Sequence, residues 1–146
     1  MSELSKLLVS KVRKVSADVT FDKDLKVFFN LNYLPKTELS ALLARFAKTV
    51  TNKATRQKEQ EVDTDKLSEE ILRSYVNGWK GVTYEWLSNQ IPMELEGIDP
   101  KSEIPFSYEN LKLISENMYD FDGWVLESIK DASNFRAIKK EDEIKN

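Results

Sequence analysis

The strongest constraint on the fold is a period-two alternation of apolar and polar residues near the start of the chain. The apolar positions form two runs: Val15, Ala17, Val19 and Phe21, then Leu25, Val27, Phe29, Leu31 and Tyr33. This alternation predicts two strands that each bury one face, joined by a turn over residues 22–24. Because a lone hairpin is only marginally stable in water, its apolar face must pack on another element.

The rest of the chain carries apolar residues at helical spacing. The spacing predicts about four helices, over residues 37–49, 65–77, from 107 onward and over 121–137. Residues 51–65 hold almost no apolar side chains and are interpreted as a linker, and residues 82–106 are interrupted by proline and glycine. We therefore expect an α+β fold that is mainly α, with an N-terminal β-hairpin packed on about four helices. Residues 1–137 would form a single domain and residues 138–146 a charged, flexible tail.

The residue types exclude much of enzyme chemistry. The chain has no His and no Cys, so it lacks the usual general base, the usual thiolate nucleophile and the usual transition-metal ligands. Its four glycines are too scattered for a phosphate-binding loop. Carboxylate sites for Mg²⁺ or Ca²⁺ remain open, but pairs such as Asp120 and Asp122 are better interpreted as helix caps or solvated charges. We expect a non-enzymatic protein with no catalytic residues, no cofactor and no metal.

Charge is unevenly distributed along the chain. Residues 1–58 carry twelve Lys and Arg against five Asp and Glu, whereas residues 59–146 carry ten against twenty. Opposed halves predict a salt-sensitive self-association. A basic front half could also attract nucleic acid, which is disfavoured because no recognition motif accompanies it, and two solvated faces without a partner are the third possibility. No stretch of about 18 apolar residues occurs, so no membrane contact is expected.

Three aromatic residues lie off any clear apolar stripe. They are candidates for partner contact, because aromatic side chains dominate binding hot spots: Phe28, Tyr84 and Trp86. Core packing is the alternative for each of them. The aromatics at helical spacing are assigned to the core: Tyr75, Trp79, Phe106 and Trp124.

Two short segments combine helix-end signals. The first, residues 76–81, reads Val-Asn-Gly-Trp-Lys-Gly, where the glycines are expected to end the preceding helix and Trp79 to fold back on the core. The second, residues 103–111, reads Glu-Ile-Pro-Phe-Ser-Tyr-Glu-Asn-Leu, where Ser107 is predicted to cap the next helix and Phe106 to form a hydrophobic staple with Leu111.

This ordered pair of segments resembles the tail assembly chaperones of long-tailed, siphovirus-type bacteriophages. In that family a "gly-trp-x-gly" turn is followed, after a loop, by "(I/L)-P-F-S-x-E-N-L" at the start of the next helix. The loop between them, residues 82–102, is longer here than in the family pattern. The matching positions, interpreted as folding devices, are Gly78, Trp79, Gly81, Pro105, Phe106, Ser107 and Leu111.

The resemblance implies a chaperone that binds the tape measure protein and keeps it soluble during virion assembly, with the tail tube protein as a further possible partner. Such a protein would act in the cytoplasm of the infected bacterial host and be absent from the mature virion. Two other classes stay open: a structural tail completion or connector protein, and a small nucleic-acid-binding regulator that uses the basic front half.

Overall fold

The computed structural model describes residues 3–7 and 15–136, in which helices and strands are interleaved. The predicted tail at residues 138–146 lies outside the described residues. In chain order the elements are α1 (Glu3–Leu7), β1 (Ser16–Asp22), β2 (Val27–Asn32), α2 (Lys36–Arg45), β3 (Ala47–Thr51), β4 (Lys58–Val62), α3 (Thr64–Tyr75), β5 (Val76–Lys80), α4 (Tyr84–Ser88), α5 (Tyr108–Asn117), α6 (Phe121–Lys130) and a 3-10 helix (Ala132–Phe135).

The predicted hairpin is present as β1 and β2, which pair antiparallel with Val19 opposite Phe29. A third strand, β5, pairs antiparallel with the other edge of β2 and places Trp79 opposite Phe29. The prediction of a helix to residue 77 is therefore wrong, because α3 ends at Tyr75 and Val76 is already extended. The free edge of β2 supplies the backbone hydrogen bonds that residues 76–80 would otherwise have found in a longer helix.

A second, two-stranded sheet is formed by β3 and β4, with Ala47 opposite Val62 and Thr51 opposite Lys58. The helix predicted over residues 37–49 ends at Arg45, and the stretch interpreted as a linker contains β4. The expected fold class, mainly α with one hairpin on about four helices, is wrong. Within the described residues the chain is a small α/β protein with five strands in two antiparallel sheets and six α-helices.

The core lies between one face of the three-stranded sheet and the helices that cover it. Phe29 and Phe121 are fully buried, with ring centroids 5.3 Å apart. Phe21 packs edge-on against Trp124 at 4.7 Å. The remaining sides of the core come from α3, α5 and α6, which bury Leu72, Ile114 and Ile129 among others. Aromatic rings in such T-shaped and tilted pairs stabilise the core beyond their buried area alone.

A buried tyrosine links two of the helices. The Tyr75 hydroxyl, at the end of α3, donates a hydrogen bond to the Glu38 carboxylate in α2. Burial, followed by this hydrogen bond and the negative charges of Glu38 and Glu70, raises the pKa of Tyr75 above its ordinary value. The side chain therefore stays neutral and keeps donating throughout the neutral range. No described helix is long and apolar enough to span a membrane.

Candidate partner-binding groove

The two segments that carry the resemblance meet in the structure. The indole Nε1 of Trp79, in β5, donates a hydrogen bond to the backbone oxygen of Ile104 at 2.7 Å. The same ring packs edge-on against Phe106, with centroids 4.9 Å apart and planes at 86°. Trp79 is only 9% exposed, so its one polar atom is satisfied inside the protein. A contact across 25 residues thus fixes β5 against the stretch that leads into α5.

Gly81 allows the chain to pass close to the turn between β1 and β2. Its φ is +80°, and a Cβ placed on it would lie 2.3 Å from the backbone oxygen of Lys26. Its N–H also donates to the Glu103 carboxylate at 3.0 Å. Gly78 differs, because it lies within β5 and an added Cβ would meet nothing within 4 Å. The two glycines were both expected to end a helix, and neither does so: one permits a close approach and the other is a strand residue.

The start of α5 has the N-cap that the sequence predicts. The Ser107 hydroxyl accepts a hydrogen bond from the N–H of Asn110 at 3.0 Å, which confirms it as the N-cap. The Asn110 side chain donates in turn to the backbone oxygen of Pro105 at 2.8 Å. Leu111 is buried, whereas Phe106, which was predicted to lie in the core, is 38% exposed and packs against Trp79. The direction in which α5 leaves the loop is therefore set by these local contacts.

The three candidates for partner contact do not form a single exposed surface. Trp86 is 3% exposed, packs edge-on against Phe21 at 5.6 Å and directs its Nε1 to Asp22 at 3.4 Å. This corrects its assignment as a contact residue: an amphipathic α4 turns its indole inward. Tyr84, half-buried, packs against the margin of the core. Phe28, also half-buried, lies in β2 opposite Thr20 in β1 and Lys80 in β5.

A concave surface lies between the helices α3, α5 and α6, and we call it the three-helix groove. It encloses about 730 Å³. Its floor is apolar and is formed by Leu67, Ile71, Leu72, Val125 and Leu126. Its rim is polar and mostly acidic, with Asp65, Glu69, Lys112, Glu116 and Asp122. A concave apolar floor with a charged rim is the form taken by surfaces that receive an apolar stripe of another molecule.

Two side chains hold the walls of the three-helix groove in place. Asp122, in the first turn of α6, accepts hydrogen bonds from Ser68 of α3 at 3.1 Å and from Ser115 of α5 at 2.5 Å. Its position near the helix N-terminus also favours a negative charge there. Tyr108 of α5 also lines the groove, and the Arg73 guanidinium of α3 lies over its ring, 3.8 Å from the centroid. The groove is therefore a preformed feature of the helix packing.

The motif segments position this groove. One wall, α3, runs directly into the strand that carries Trp79, and the other wall, α5, follows directly from Phe106. The Trp79 contacts with Ile104 and Phe106 therefore fix the two walls relative to each other. The resemblance motif acts as the framework of the site, and the residues that would touch a partner are different ones.

Residues of the three-helix groove could not be identified from the sequence. Leu67 and Leu126 read as ordinary core positions of amphipathic helices, and their partial exposure toward a groove depends on how α3 packs on α5 and α6. Within residues 3–7 and 15–136, no group of three or more acidic side chains is arranged to hold a metal ion. The chain matches no protein-family model, no curated protein and no solved structure.

Proposed function

We propose that this protein is a phage tail assembly chaperone that binds the tape measure protein through the three-helix groove and keeps it soluble, without enzymatic chemistry. The observation that carries the proposal is the contact of Trp79 with Ile104 and Phe106. It joins the two sequence segments on which the family resemblance rests, and it does so through a buried, hydrogen-bonded interaction.

The chemistry of the groove suits a helical client. A tape measure protein is a long helical molecule whose apolar stripes would aggregate if left exposed before the tail tube surrounds it. The floor, which includes Leu67 and Leu126, offers an apolar surface to one such stripe. The rim carboxylates Asp65 and Glu116 would favour stripes flanked by Lys or Arg. Binding would bury apolar area on both partners while the charged rim limits non-specific contacts.

The assignment also defines where the protein acts. A chaperone of this kind holds its client in the cytoplasm of the infected bacterium and is released when tail tube subunits polymerise. Mass spectrometry of purified virions should therefore not detect it. Stoichiometric recovery from virions would instead support a structural tail completion or connector protein.

The test is co-expression with the tape measure protein encoded by the same phage. Gly123 lines the groove on α6, and a Cβ placed on it meets nothing within 4 Å. Gly123→Trp should fill the groove without disturbing the core, and Gly123→Ala is the matched control. We expect wild type and Gly123→Ala to keep the client in the soluble fraction. Gly123→Trp should reduce the amount of soluble client about tenfold, which corresponds to a loss of about 1.4 kcal/mol of binding free energy.

The folding of both variants is checked by circular dichroism and thermal melting. Gly123→Ala should be more stable than wild type by about 0.5–1 kcal/mol, because alanine replaces glycine within a helix. If Gly123→Trp is folded and still keeps the client soluble, the groove is not the binding site. If wild-type protein leaves the client insoluble, the chaperone function itself is rejected.

A further inference from the structure

The second sheet is an exposed two-stranded ribbon, residues 47–62, which we call the β3–β4 ribbon. None of its residues is buried, and only Val50, Asn52 and Val62 are even half-buried. A two-stranded ribbon without a packed face is marginally stable in water on its own. An element of this kind gains stability when its exposed groups contact another molecule, so the ribbon is a candidate for an interaction arm.

The tip of the β3–β4 ribbon is an ordered, basic loop. The Asn52 side chain accepts hydrogen bonds from the N–H groups of Ala54 at 2.9 Å and Thr55 at 3.3 Å. The Arg56 N–H donates to the backbone oxygen of Asn52 at 2.7 Å, which closes the loop. Lys53, Arg56 and Lys58 are all exposed, and none of the three forms an ion pair within the part of the chain that the structure describes. Three positive charges are thus presented together at the end of the arm.

A surface of opposite charge lies at the turn between α5 and α6, where the three-helix groove opens into a second depression of about 550 Å³. The two depressions share Ser115, Glu116, Asp122 and Gly123. Glu116, Asp120 and Asp122 bring three carboxylates to this end, and we call it the acidic turn. Tyr119 lies beside them and is 96% exposed. Asp120, the next residue, adopts a left-handed backbone with φ of 65°. An exposed aromatic ring among carboxylates is suited to receive Lys or Arg.

We propose that the basic tip of the β3–β4 ribbon of one copy docks on the acidic turn of a second copy. The three cations Lys53, Arg56 and Lys58 face three carboxylates, and Arg56 or Lys53 stacks on Tyr119. Because the donor and acceptor surfaces are different, the contact is head-to-tail and repeats from copy to copy. The acidic turn lies at one end of the three-helix groove, so docking leaves most of the apolar floor open.

The charges favour a second copy over nucleic acid as the occupant. The whole chain carries a net charge of −3, which opposes a nucleic-acid duplex, with one negative charge per about 1.7 Å of helix axis, far more than it opposes a second copy. The acceptor, by contrast, is present on every copy of the chain. The inference does not depend on the identity of the client, so it can fail while the proposed function holds, and the reverse is also true.

The first test is sedimentation velocity of the full chain at two salt concentrations. We expect the protein to associate at about 50 mM NaCl and the association constant to fall at least about tenfold at about 500 mM, because exposed ion pairs are screened over that range. A protein that remains monomeric at the lower salt at about millimolar concentration overturns the proposal, since a contact too weak to form there has no measurable affinity.

The second test reverses each surface separately. The ribbon variant is Lys53→Glu/Arg56→Asp/Lys58→Glu, in which Asp suits the left-handed backbone of Arg56 with φ of 59°. The turn variant is Glu116→Lys/Tyr119→Lys/Asp120→Asn, which leaves Asp122 to hold the helices. Each variant alone should be monomeric at low salt, and an equimolar mixture should associate again, because each reversed surface then meets a complementary one.

The mixture is the decisive measurement. Circular dichroism confirms that both variants are folded, and recovery of association in the mixture cannot arise from unfolding. If either variant alone associates like wild type, or if the mixture stays monomeric, the docking is rejected. A gel shift with a 30-nucleotide duplex tests nucleic acid as the alternative partner. If wild-type protein stays monomeric but shifts the duplex, and the ribbon variant does not shift it, the arm binds nucleic acid instead.

Discussion

The two sheets of this molecule differ in what lies against them. The three-stranded sheet places Val27, Phe29 and Leu31 in full burial against the helices. The β3–β4 ribbon has five paired positions and not one buried residue. Backbone pairing is present in both, so pairing alone does not decide which sheet contributes to the stability of the fold.

The difference separates the part of the chain that stabilises the fold from the part that is exposed for interaction. Apolar burial stabilises by about 25 cal/mol per Å², so the first sheet and its helices carry most of the free energy of folding. The ribbon contributes little to that energy and exposes charge, so its substitution leaves the body intact. Three comparisons between variants test this division, in order of expected effect.

Trp79→Ala should have the largest effect. It removes a buried indole from the junction of β5 with residues 104–106 and leaves the oxygen of Ile104 without its donor. We expect a loss of about 4 kcal/mol in the free energy of unfolding, measured by urea denaturation. Trp79→Phe is the control, because it keeps an aromatic ring in this site and loses the hydrogen bond together with a smaller buried volume. A loss below about 1 kcal/mol for Trp79→Ala would show that this junction is not part of the stabilising core.

Gly81→Ala should come next and should differ from its neighbour in the same motif. The added Cβ would clash with the backbone oxygen of Lys26 and occupy a left-handed φ, so we expect a loss of about 3 kcal/mol. Gly78→Ala meets open space and should change stability by less than about 0.5 kcal/mol. Thermal melts of the two variants side by side measure the contrast, and equal losses would contradict the close approach.

A matched pair of valines gives the smallest effect and compares the two sheets directly. Val27→Ala in β2 removes two methyl groups from a fully buried site and should cost about 2 kcal/mol. Val50→Ala in β3 changes a half-buried residue of the ribbon and should cost about 0.5 kcal/mol or less. Both free energies come from urea titrations followed by circular dichroism. Similar costs at the two positions would mean that the ribbon is packed against the body after all.

The sequence carried enough information for elements with strong local signals. The β1–β2 hairpin follows from alternation alone, because each of its strands buries one face. The start of α5 follows from Ser107, whose cap depends on residues three positions apart.

The missed strands depend on contacts that no local pattern records. Residues 76–80 contain Asn77 and Gly78, which are poor strand formers, and become β5 only because β2 offers an unpaired edge. Residues 58–62 read Lys-Glu-Gln-Glu-Val, without apolar alternation, and pair through β3, where Lys48 faces Glu61. The three-helix groove was missed for a related reason, since it exists only where α3 packs against α5 and α6, which lie much later in the chain.

The placement of the three tryptophans has a practical consequence. Trp79, Trp86 and Trp124 all lie in or against the aromatic core, and the β3–β4 ribbon has none. Intrinsic fluorescence will therefore follow the melting of the body and remain silent when the ribbon opens or closes. A dye or a new tryptophan at the ribbon tip would give that arm its own optical signal, so that docking and unfolding could be timed independently in one cuvette.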